Sequence, residues 1–331
     1  MEKYLRRCLD SLIIDEEGMK QLEVLVINDG SKDSSSQIAH EYQDKYPDTY
    51  RVIDKENGNY GSCINRGVKE ATGKYVKVLD ADDWFDTKNF SKYVQLLSSI
   101  DVDLILTDFN NVNDEGIITN TCSYETKNIK TSIGNIDDLM NTSPVFYGQM
   151  HGFTYRTKLL HDMHYVQTEG ISYTDQEWVA IPMTKVKSYY CCPLNVYQYL
   201  IGREGQSMDK NVMSKSIGQL MKVVLKLSQF TEYGEYSHIF RKYLISQMSI
   251  QLDFIYRSCI CLATYPNRQL IEFDKELSSY PTIYKLTNDI VYAKYKYVKD
   301  WRFHNCSQLS LKGKCLVKMK EYKKIISGGN K

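Results

Sequence analysis

The sequence lacks several patterns that would place a protein in a class at once. No apolar run is long enough to span a bilayer, and the longest candidate, residues 239–263, is interrupted by Arg241, Lys242, Asp253 and Arg257. That segment predicts an amphipathic helix instead. The nine cysteines contain no C-x-x-C pair, which argues against a zinc site and a disulfide framework and favours buried, reduced thiols.

Nucleotide-binding fingerprints are also absent. The chain has no G-x-G-x-x-G sequence, so a dinucleotide-binding fold is not indicated. Residues 67–74 come near to a phosphate loop, but the spacing is one residue too long, and Tyr75 stands where a serine or threonine would hold magnesium. Both of these nucleotide folds are therefore disfavoured.

The net charge is small, but the charges are unevenly distributed. The formal charge is +1, whereas the segment from Lys285 to the end holds twelve Lys and Arg against three acidic residues. Such a segment suits an anionic surface, either membrane headgroups or nucleic acid, or is a solvated helical face. Because the chain has no nucleic-acid-binding motif and its aromatic residues are typical of a core, we expect no nucleic-acid partner.

The acidic sequence Asp80-Ala81-Asp82-Asp83 is the most informative feature that is present. It follows a predicted strand at residues 74–79. Crowded carboxylates repel one another unless a positive charge lies among them. A divalent cation that also binds the phosphates of a ligand would supply that charge, so the chain is a candidate for handling an activated phosphate compound. A solvated acidic turn is the alternative.

Strands and helices alternate over the first two hundred residues. Periodicity predicts strands at 22–27, 50–54, 74–79 and 101–107, and helices at 1–14, 33–46, 60–71, 89–98, 213–230 and 236–261. The rhythm predicts an α/β fold with a doubly wound, mostly parallel sheet, whose ligands bind beyond the carboxyl ends of the strands. The first strand is almost continuously apolar and is expected to be buried on both faces. We predict an α/β domain at 1–210 and a helical, basic C-terminal region at 211–331.

Two segments beyond strand ends are candidate binding elements. Asp29, in the turn at residues 28–33, can accept hydrogen bonds from a base or a ribose, although an Asx-turn explains it equally well. Asn57 opens a glycine-rich loop at residues 57–62 before a helix that carries Asn65. Such a loop can receive an anion or a sugar ring.

Two later segments offer a base and a cation. Thr174 and Glu177 have the spacing of a capping box at the start of an apolar helix, which leaves Asp175 free to act as a general base. Arg203 lies in a loop beyond a predicted strand and could clamp a diphosphate. A plain surface charge is the alternative for Arg203.

Taken in order, these segments resemble family 2 glycosyltransferases, which are inverting enzymes with the GT-A fold. The resemblance runs from about Tyr4 to Ser207 and rests on the strings EKYLRRCLDSL, LEVLVINDGSKDSS, NGNYGSCINRGVKEATGKYVKVLDADDWF, ISYTDQEW and GREGQS. One such string is weak evidence, whereas five in the correct order are highly specific.

The resemblance implies a nucleotide-sugar site and a reaction. Asp29 would contact the uracil, Asp80 the ribose or uridine side, Asn57 the nucleotide sugar and Arg203 the diphosphate. The implied reaction transfers a sugar, with inversion, from a nucleotide-diphosphate sugar, UDP-linked, to a glycan or lipid-linked acceptor in surface polysaccharide synthesis. A non-catalytic or degenerate nucleotide-sugar-binding paralogue is the alternative.

The resemblance also implies a metal site, a base and a location. Asp82 would ligate Mn²⁺ or Mg²⁺, with Asp83 as the second candidate, and Asp175 would deprotonate the acceptor hydroxyl. The expected location is cytoplasmic and peripheral on the inner membrane face, where the basic segment would contact anionic lipid.

The sequence departs from the family pattern at three places. Thr174 replaces the family's glutamate before the base, and Ile64 stands where an arginine often lies. The family's first strand would precede Glu2 and is missing, so we expect an N-terminally truncated domain. A gap between the strands at 22–27 and 74–79, or a distorted pairing of the two, should follow.

Overall fold

The computed structural model describes residues 1–124, 132–142, 148–203, 216–262, 267–292 and 294–328. The chain divides into two compact units, residues 1–209 and residues 210–331. The predicted domain boundary between residues 210 and 211 lies outside the described residues.

Nine strands are described in the first unit. They are β1 (Val24–Asp29), β2 (Tyr50–Lys55), β3 (Tyr75–Val76), β4 (Trp84–Phe85), β5 (Leu104–Val112), β6 (Ile118–Cys122), β7 (Ile133–Asn135), β8 (Phe153–Arg156) and β9 (Ser188–Leu200). β1 and β2 form a two-stranded sheet. The others form a seven-stranded sheet in the order β3-β8-β5-β9-β4, with β6 on β5 and β7 on β9.

The longest ladder in each sheet is parallel. β1 pairs with β2 in parallel along its whole length, and β5 pairs with β9 in parallel from Leu104 to Val112. Shorter antiparallel ladders add β3, β4, β6, β7 and β8. The predicted α/β fold class is confirmed.

Eight α-helices are described in the same unit. They are α1 (Glu2–Asp10), α2 (Glu16–Met19), α3 (Ser35–Lys45), α4 (Asn59–Glu70), α5 (Thr87–Ser99), α6 (Ile136–Thr142), α7 (Thr157–Asp162) and α8 (Asp175–Ala180). Short polar side chains fix some of their starts. Asp86, for example, accepts a hydrogen bond from Asn89 N at 2.8 Å and caps α5.

The predicted gap between the first and third strands is present in the described part of the chain. β1 pairs with β2 alone, while β3 lies in the larger sheet and pairs with β8. The prediction that β1 is buried on both faces is wrong, because every residue from Val24 to Asp29 is partly exposed. The strand predicted at 74–79 is reduced to Tyr75–Val76, since only these two residues pair with β8.

The core of the first unit anchors the strand that follows the acidic turn. Leu5 and Leu9 of α1 lie one helical turn apart and pack in one cluster with Tyr93, Phe85 and Tyr197. Burial of each such side chain stabilises the fold by about 1.5–3 kcal/mol. Phe85 of β4 also contacts the Tyr197 ring of β9, with a centroid separation of 5.7 Å. β4 is therefore held firmly at the base of the acidic turn.

The second unit is helical in its described parts. Its α-helices are α9 (Ile217–Tyr233), α10 (His238–Tyr256), α11 (Asn267–Leu277), α12 (Pro281–Thr287), α13 (Tyr297–Phe303) and α14 (Leu311–Gly328). The helix predicted at 213–230 matches α9, and its first three residues lie outside the described residues. The single helix predicted at 236–261 is α10 followed by a π-helical turn at Arg257–Cys261. Among the described helices, none has the length and hydropathy needed to cross a membrane.

A buried ion pair ties four of these helices together. Arg302 of α13 pairs with Asp274 of α11, with Nη2 and Oδ1 2.5 Å apart. Asp274 also accepts a hydrogen bond from the Tyr256 hydroxyl of α10 at 2.6 Å. The Arg302 guanidinium lies 3.7 Å from the ring centroid of Tyr284 in α12. Because its hydrogen-bonding groups are paired, this charged pair can be buried without an orphaned charge.

Candidate functional site

The acidic residues Asp80–Asp83 form a tight turn between β3 and β4. Asp83 N donates a hydrogen bond to Asp80 O at 3.0 Å, which closes the turn. Trp84 and Phe85 then pair with β9. The turn is thus fixed at its exit by the strand β4.

Asp83 is fully buried and faces β9. Its Oδ2 accepts a hydrogen bond from the Tyr197 hydroxyl at 2.5 Å, and its Oδ1 accepts one from Leu200 N at 2.8 Å. Burial, followed by the neighbouring charges of Asp80 and Asp82, raises the pKa of Asp83 well above its ordinary value. The two hydrogen bonds hold the carboxylate in one orientation.

Asp80 and Asp83 meet a histidine that the sequence does not single out. One ligand atom from each of Asp80, Asp83 and His151 lies within 4.8 Å of the others. The His151 ring stacks on Tyr199 with a centroid separation of 4.2 Å. The partly buried Lys77 ammonium donates a hydrogen bond to His151 O at 2.8 Å. No spacing or motif in the sequence links His151 to the acidic turn.

Asp82 is turned toward Arg203. The guanidinium Nε lies 2.6 Å from Asp82 Oδ2, and this ion pair is partly buried. Arg7 of α1 also donates a hydrogen bond to Asp82 O at 3.0 Å. The structure therefore brings Arg203 to Asp80, Asp82 and Asp83, although Arg203 lies more than a hundred residues after this turn in the sequence.

The donor set at this turn fits a divalent cation. The Nδ1 atom of His151 is buried and has no hydrogen-bond partner within the described residues. Burial, and next the charge of Asp82, raises the pKa of Asp80. Carboxylate oxygens suit Mn²⁺ and Mg²⁺, and an imidazole nitrogen suits the transition metal better. A cation here would satisfy the histidine and relieve the repulsion among the carboxylates.

Asp29 and Asn57 lie together at the ends of β1 and β2. The Asp29 carboxylate pairs with Lys55 and accepts hydrogen bonds from Gly58 N and Asn59 N, both at 2.9 Å. Asn57 Nδ2 donates to Asp29 O at 3.0 Å. Burial acts to raise the pKa of Asp29, but the hydrogen bonds and charge of Lys55 and the two amides outweigh it, so the pKa is lowered. Asp29 therefore holds the glycine-rich loop as an ionised group.

Asp175 begins α8, but the predicted capping box is wrong. Thr174 occupies the N-cap position without a capping hydrogen bond from its side chain. Its hydroxyl accepts instead from Gln167 Nε2 at 2.8 Å, and Glu177 Oε2 accepts from Thr168 N at 2.9 Å. Both side chains are thus used to fix the loop that precedes Asp175, because that loop folds back over the helix start.

The charge of the Asp175 carboxylate acts on the acidic turn. After burial and the Asp82 charge, the charge of Asp175 contributes to raising the pKa of Asp80. Burial raises the pKa of Asp175 itself. A carboxylate with a raised pKa is a better proton acceptor at neutral pH than an exposed one.

Hydrogen bonds connect the glycine-rich loop to the loop before Asp175. Asn65 Nδ2 of α4 donates to Gln167 O at 2.9 Å, and Gln167 N donates to Asn65 Oδ1 at 2.7 Å. Gly170 N donates to Gly58 O at 2.8 Å. A Cβ atom added at Gly61 would lie 1.9 Å from Thr168 O. The two loops therefore approach at a contact that only glycine allows.

Gly61→Ala is expected to destabilise the first unit by about 1–3 kcal/mol, because the added methyl group meets rigid backbone rather than a flexible side chain. Gly67→Ala is the matched control, since it lies in the same helix and its nearest neighbour is Ile27 Cγ1 at 4.0 Å. That control should be neutral or more stable by up to about 1 kcal/mol. Urea unfolding of both variants measures the difference. Equal stability would contradict the close approach of the loops.

Comparison with known proteins finds a family match in the first half of the chain. A family model described as glycosyl transferase family 2 matches residues 1–161. The uncharacterized glycosyltransferase MG060 homolog of Mycoplasma pneumoniae is 40% identical over 106 residues, which are 31% of this chain and 35% of that protein. The minor teichoic acid biosynthesis protein GgaB of Bacillus subtilis is 37% identical over 83 residues, 25% of this chain and 9% of that protein. The chain spans about a third or less of the curated relatives it matches.

Solved structures extend the comparison to the fold. TarS 1-349 of S. aureus is similar with a TM-score of 0.70 at 17% identity, covering 97% of this chain and 88% of that chain. TarS 1-349 in complex with UDP-GlcNAc has a TM-score of 0.60 at 18% identity, covering 92% of this chain and 89% of that chain. At these identities the likeness shows the fold alone. Residues 1–161 thus match glycosyltransferase family 2, and the chain has a GT-A-like α/β fold.

Proposed function

We propose that the chain is a metal-dependent inverting glycosyltransferase that uses a UDP-linked sugar. Its acceptor would be a hydroxyl of a glycan or lipid-linked glycan in surface polysaccharide synthesis. The observation that carries the proposal is the convergence of the acidic turn, Arg203 and Asp175 in one site. These groups supply what such a transfer needs, namely a place for a diphosphate and its counter-charges, and a base.

Two comparisons support the donor and acceptor classes. TarS was crystallised with UDP-GlcNAc, which supports a UDP-linked donor. GgaB is named for minor teichoic acid biosynthesis, which supports a bacterial surface polymer as acceptor. The family assignment of residues 1–161 agrees with both.

Asp175 is proposed as the base of a single displacement. Its carboxylate would take the proton of the acceptor hydroxyl as that oxygen attacks the anomeric carbon, and the bond to the diphosphate would break on the opposite side. The hydrogen bonds to Gln167 and Glu177 place Asp175 by fixing the loop that precedes it. Inversion at the anomeric carbon follows from one displacement.

Arg203 is proposed to exchange partners when the donor binds. In the structure it pairs with Asp82, and a donor phosphate would compete for the same guanidinium. Release from Arg203 would leave the Asp82 carboxylate free to join Asp80, Asp83 and His151 around a Mn²⁺ or Mg²⁺ ion. When bound, such an ion neutralises charge on the departing diphosphate.

Asp29 and Asn57 are proposed to bind the uridine. A carboxylate has about four acceptor positions, and Asp29 uses three of them on Lys55, Gly58 N and Asn59 N. A donor group of the base would take the fourth position in competition with the weak thiol donor of Cys63. Asp29 would thus both order the glycine-rich loop and contact the uracil.

The basic C-terminal region is proposed to hold the enzyme at an anionic membrane surface.

A product assay tests the proposal. The full chain is incubated with a panel of UDP-sugars and Mn²⁺, Mg²⁺ or chelator, UDP release is measured, and the anomeric configuration of any product is read by NMR. We expect metal-dependent UDP release and a product of inverted configuration. UDP binding without release from any donor would favour the degenerate paralogue. Retention of configuration would overturn the mechanism.

A further inference from the structure

The last described helix, α14, has an apolar stripe on its outward side. Gly313 and Val317 face inward, since both are buried and a Cβ at Gly313 would lie 2.6 Å from Tyr295 Cε1. Leu311 and Met319 are 82% and 58% exposed. Cys315, halfway between them, is the exposed one of the nine cysteines. Because residues four apart share a helix face, these three side chains form one exposed stripe.

Lysines border this stripe on both sides. At about 100° per residue, Lys314 and Lys318 lie on one edge of the stripe and Lys312 lies on the other. All three are exposed. Between Leu311 and Lys320 the sequence has no acidic residue. The outward face of α14 is therefore apolar along its centre and positive along both edges.

A further exposed apolar side chain precedes this helix in the sequence. Phe303, the last residue of α13, is 82% exposed, as Leu311 is. The Arg302 ion pair with Asp274 and the Tyr284 ring hold the preceding residue in the core of the unit. The exposure of Phe303 is thus a consequence of a fixed helix rather than of a frayed end.

We propose that the outward face of α14, together with Phe303, docks on an anionic lipid bilayer. Lysine stems can lie along apolar surface while their ammonium groups reach phosphate headgroups, and the apolar stripe enters the headgroup–acyl boundary. The phosphates of a nucleic acid would pair with the lysines, but they offer no apolar surface to cover the Leu311–Met319 stripe. This face would be the surface through which the basic C-terminal region contacts the membrane, and its binding does not depend on catalysis.

Vesicle sedimentation of the full chain tests the docking face. Vesicles of phosphatidylcholine alone are compared with vesicles containing phosphatidylglycerol, at low and high salt. We expect binding to the anionic vesicles alone, weakened by salt. Reversing the three charges in Lys312→Glu/Lys314→Glu/Lys318→Glu should lower the partition coefficient by about a hundredfold or more. Leu311→Ser/Met319→Ser should lower it by about tenfold.

A matched control separates position from net charge. Lys69→Glu/Lys88→Glu/Lys92→Glu makes the same charge change at three exposed lysines of the first unit and should bind nearly as well as the unaltered chain. Equal losses in both triple variants would overturn the proposal. So would dimerisation, or binding to duplex RNA, that is lost in the α14 variants while no vesicle binding occurs.

The outcome is independent of the proposed reaction. Vesicle binding is measured without any donor, and UDP release from a UDP-sugar is measured without vesicles. Loss of vesicle binding in the α14 variants, with UDP release unchanged, would confirm the α14 face as the docking surface. Absence of UDP release with intact vesicle binding would overturn the proposed function alone.

Discussion

Asp175→Asn is expected to lower the rate of sugar transfer by about two to four orders of magnitude, the usual contribution of a general base. The amide is nearly isosteric with the carboxylate but cannot take the acceptor proton. UDP affinity should barely change, because the proposed role of Asp175 concerns the acceptor hydroxyl and not the nucleotide. Initial rates at saturating donor and acceptor, with UDP titration by calorimetry, measure both quantities.

The pH profile gives a second readout for Asp175. The base must be ionised, and burial raises its pKa. Transfer should therefore fall as the pH drops through that raised pKa, at a higher pH than an exposed aspartate would show. The residual activity of Asp175→Asn should lack this limb. Asp162→Asn, an exposed residue paired with Lys158, is the control, and near-normal transfer in Asp175→Asn would show that the base lies elsewhere.

Asp82→Ala is expected to abolish turnover and to weaken UDP binding in Mn²⁺. The change removes one carboxylate of the acidic turn and the resting partner of Arg203. Stability should change little, because the guanidinium of Arg203 keeps access to water. UDP titrations with Mn²⁺ and with chelator give the metal-dependent part of the binding. Unchanged metal-dependent binding would contradict the assignment of Asp82.

Asp83→Ala is the comparison within the same turn. It removes the acceptor of Leu200 N and of the Tyr197 hydroxyl, both buried. Leaving a buried donor unpaired costs about 1–3 kcal/mol. We therefore expect a clear loss of stability in Asp83→Ala but not in Asp82→Ala. Equal melting temperatures would show that the hydrogen bonds of Asp83 do not support β9.

Local sequence patterns predict much of the fold. The apolar strand before Asp29 and the helix after Asn57 form where periodicity places them, because their patterns are encoded within each element. The convergence of strand ends also brings Asp80, Asp82 and Arg203 together. These features depend on the order of elements along the chain, which the sequence states directly.

Features that depend on distant pairing could not be predicted in the same way. His151 lies in a short 3-10 helix, Met150–Gly152, and no spacing in the sequence links it to the acidic turn. The capping-box spacing of Thr174 and Glu177 is real, but contacts with Gln167 and Thr168 replace the local cap. Similarly, β3 is cut to two residues because its partner is β8, some eighty residues later in the chain. Tertiary contacts decide each of these cases.

The separation of the two sheets has a consequence for amide hydrogen exchange. Val24 N bonds to Thr49 O across the β1–β2 ladder, and successive amides of a strand point to opposite sides. The amides of Val26 and Asn28 should therefore share the protection of Val24. Those of Leu25 and Ile27 point to the other edge of β1, where no strand pairs among the described residues. Protection along β1 should alternate residue by residue, so that one strand carries both slowly and rapidly exchanging protons.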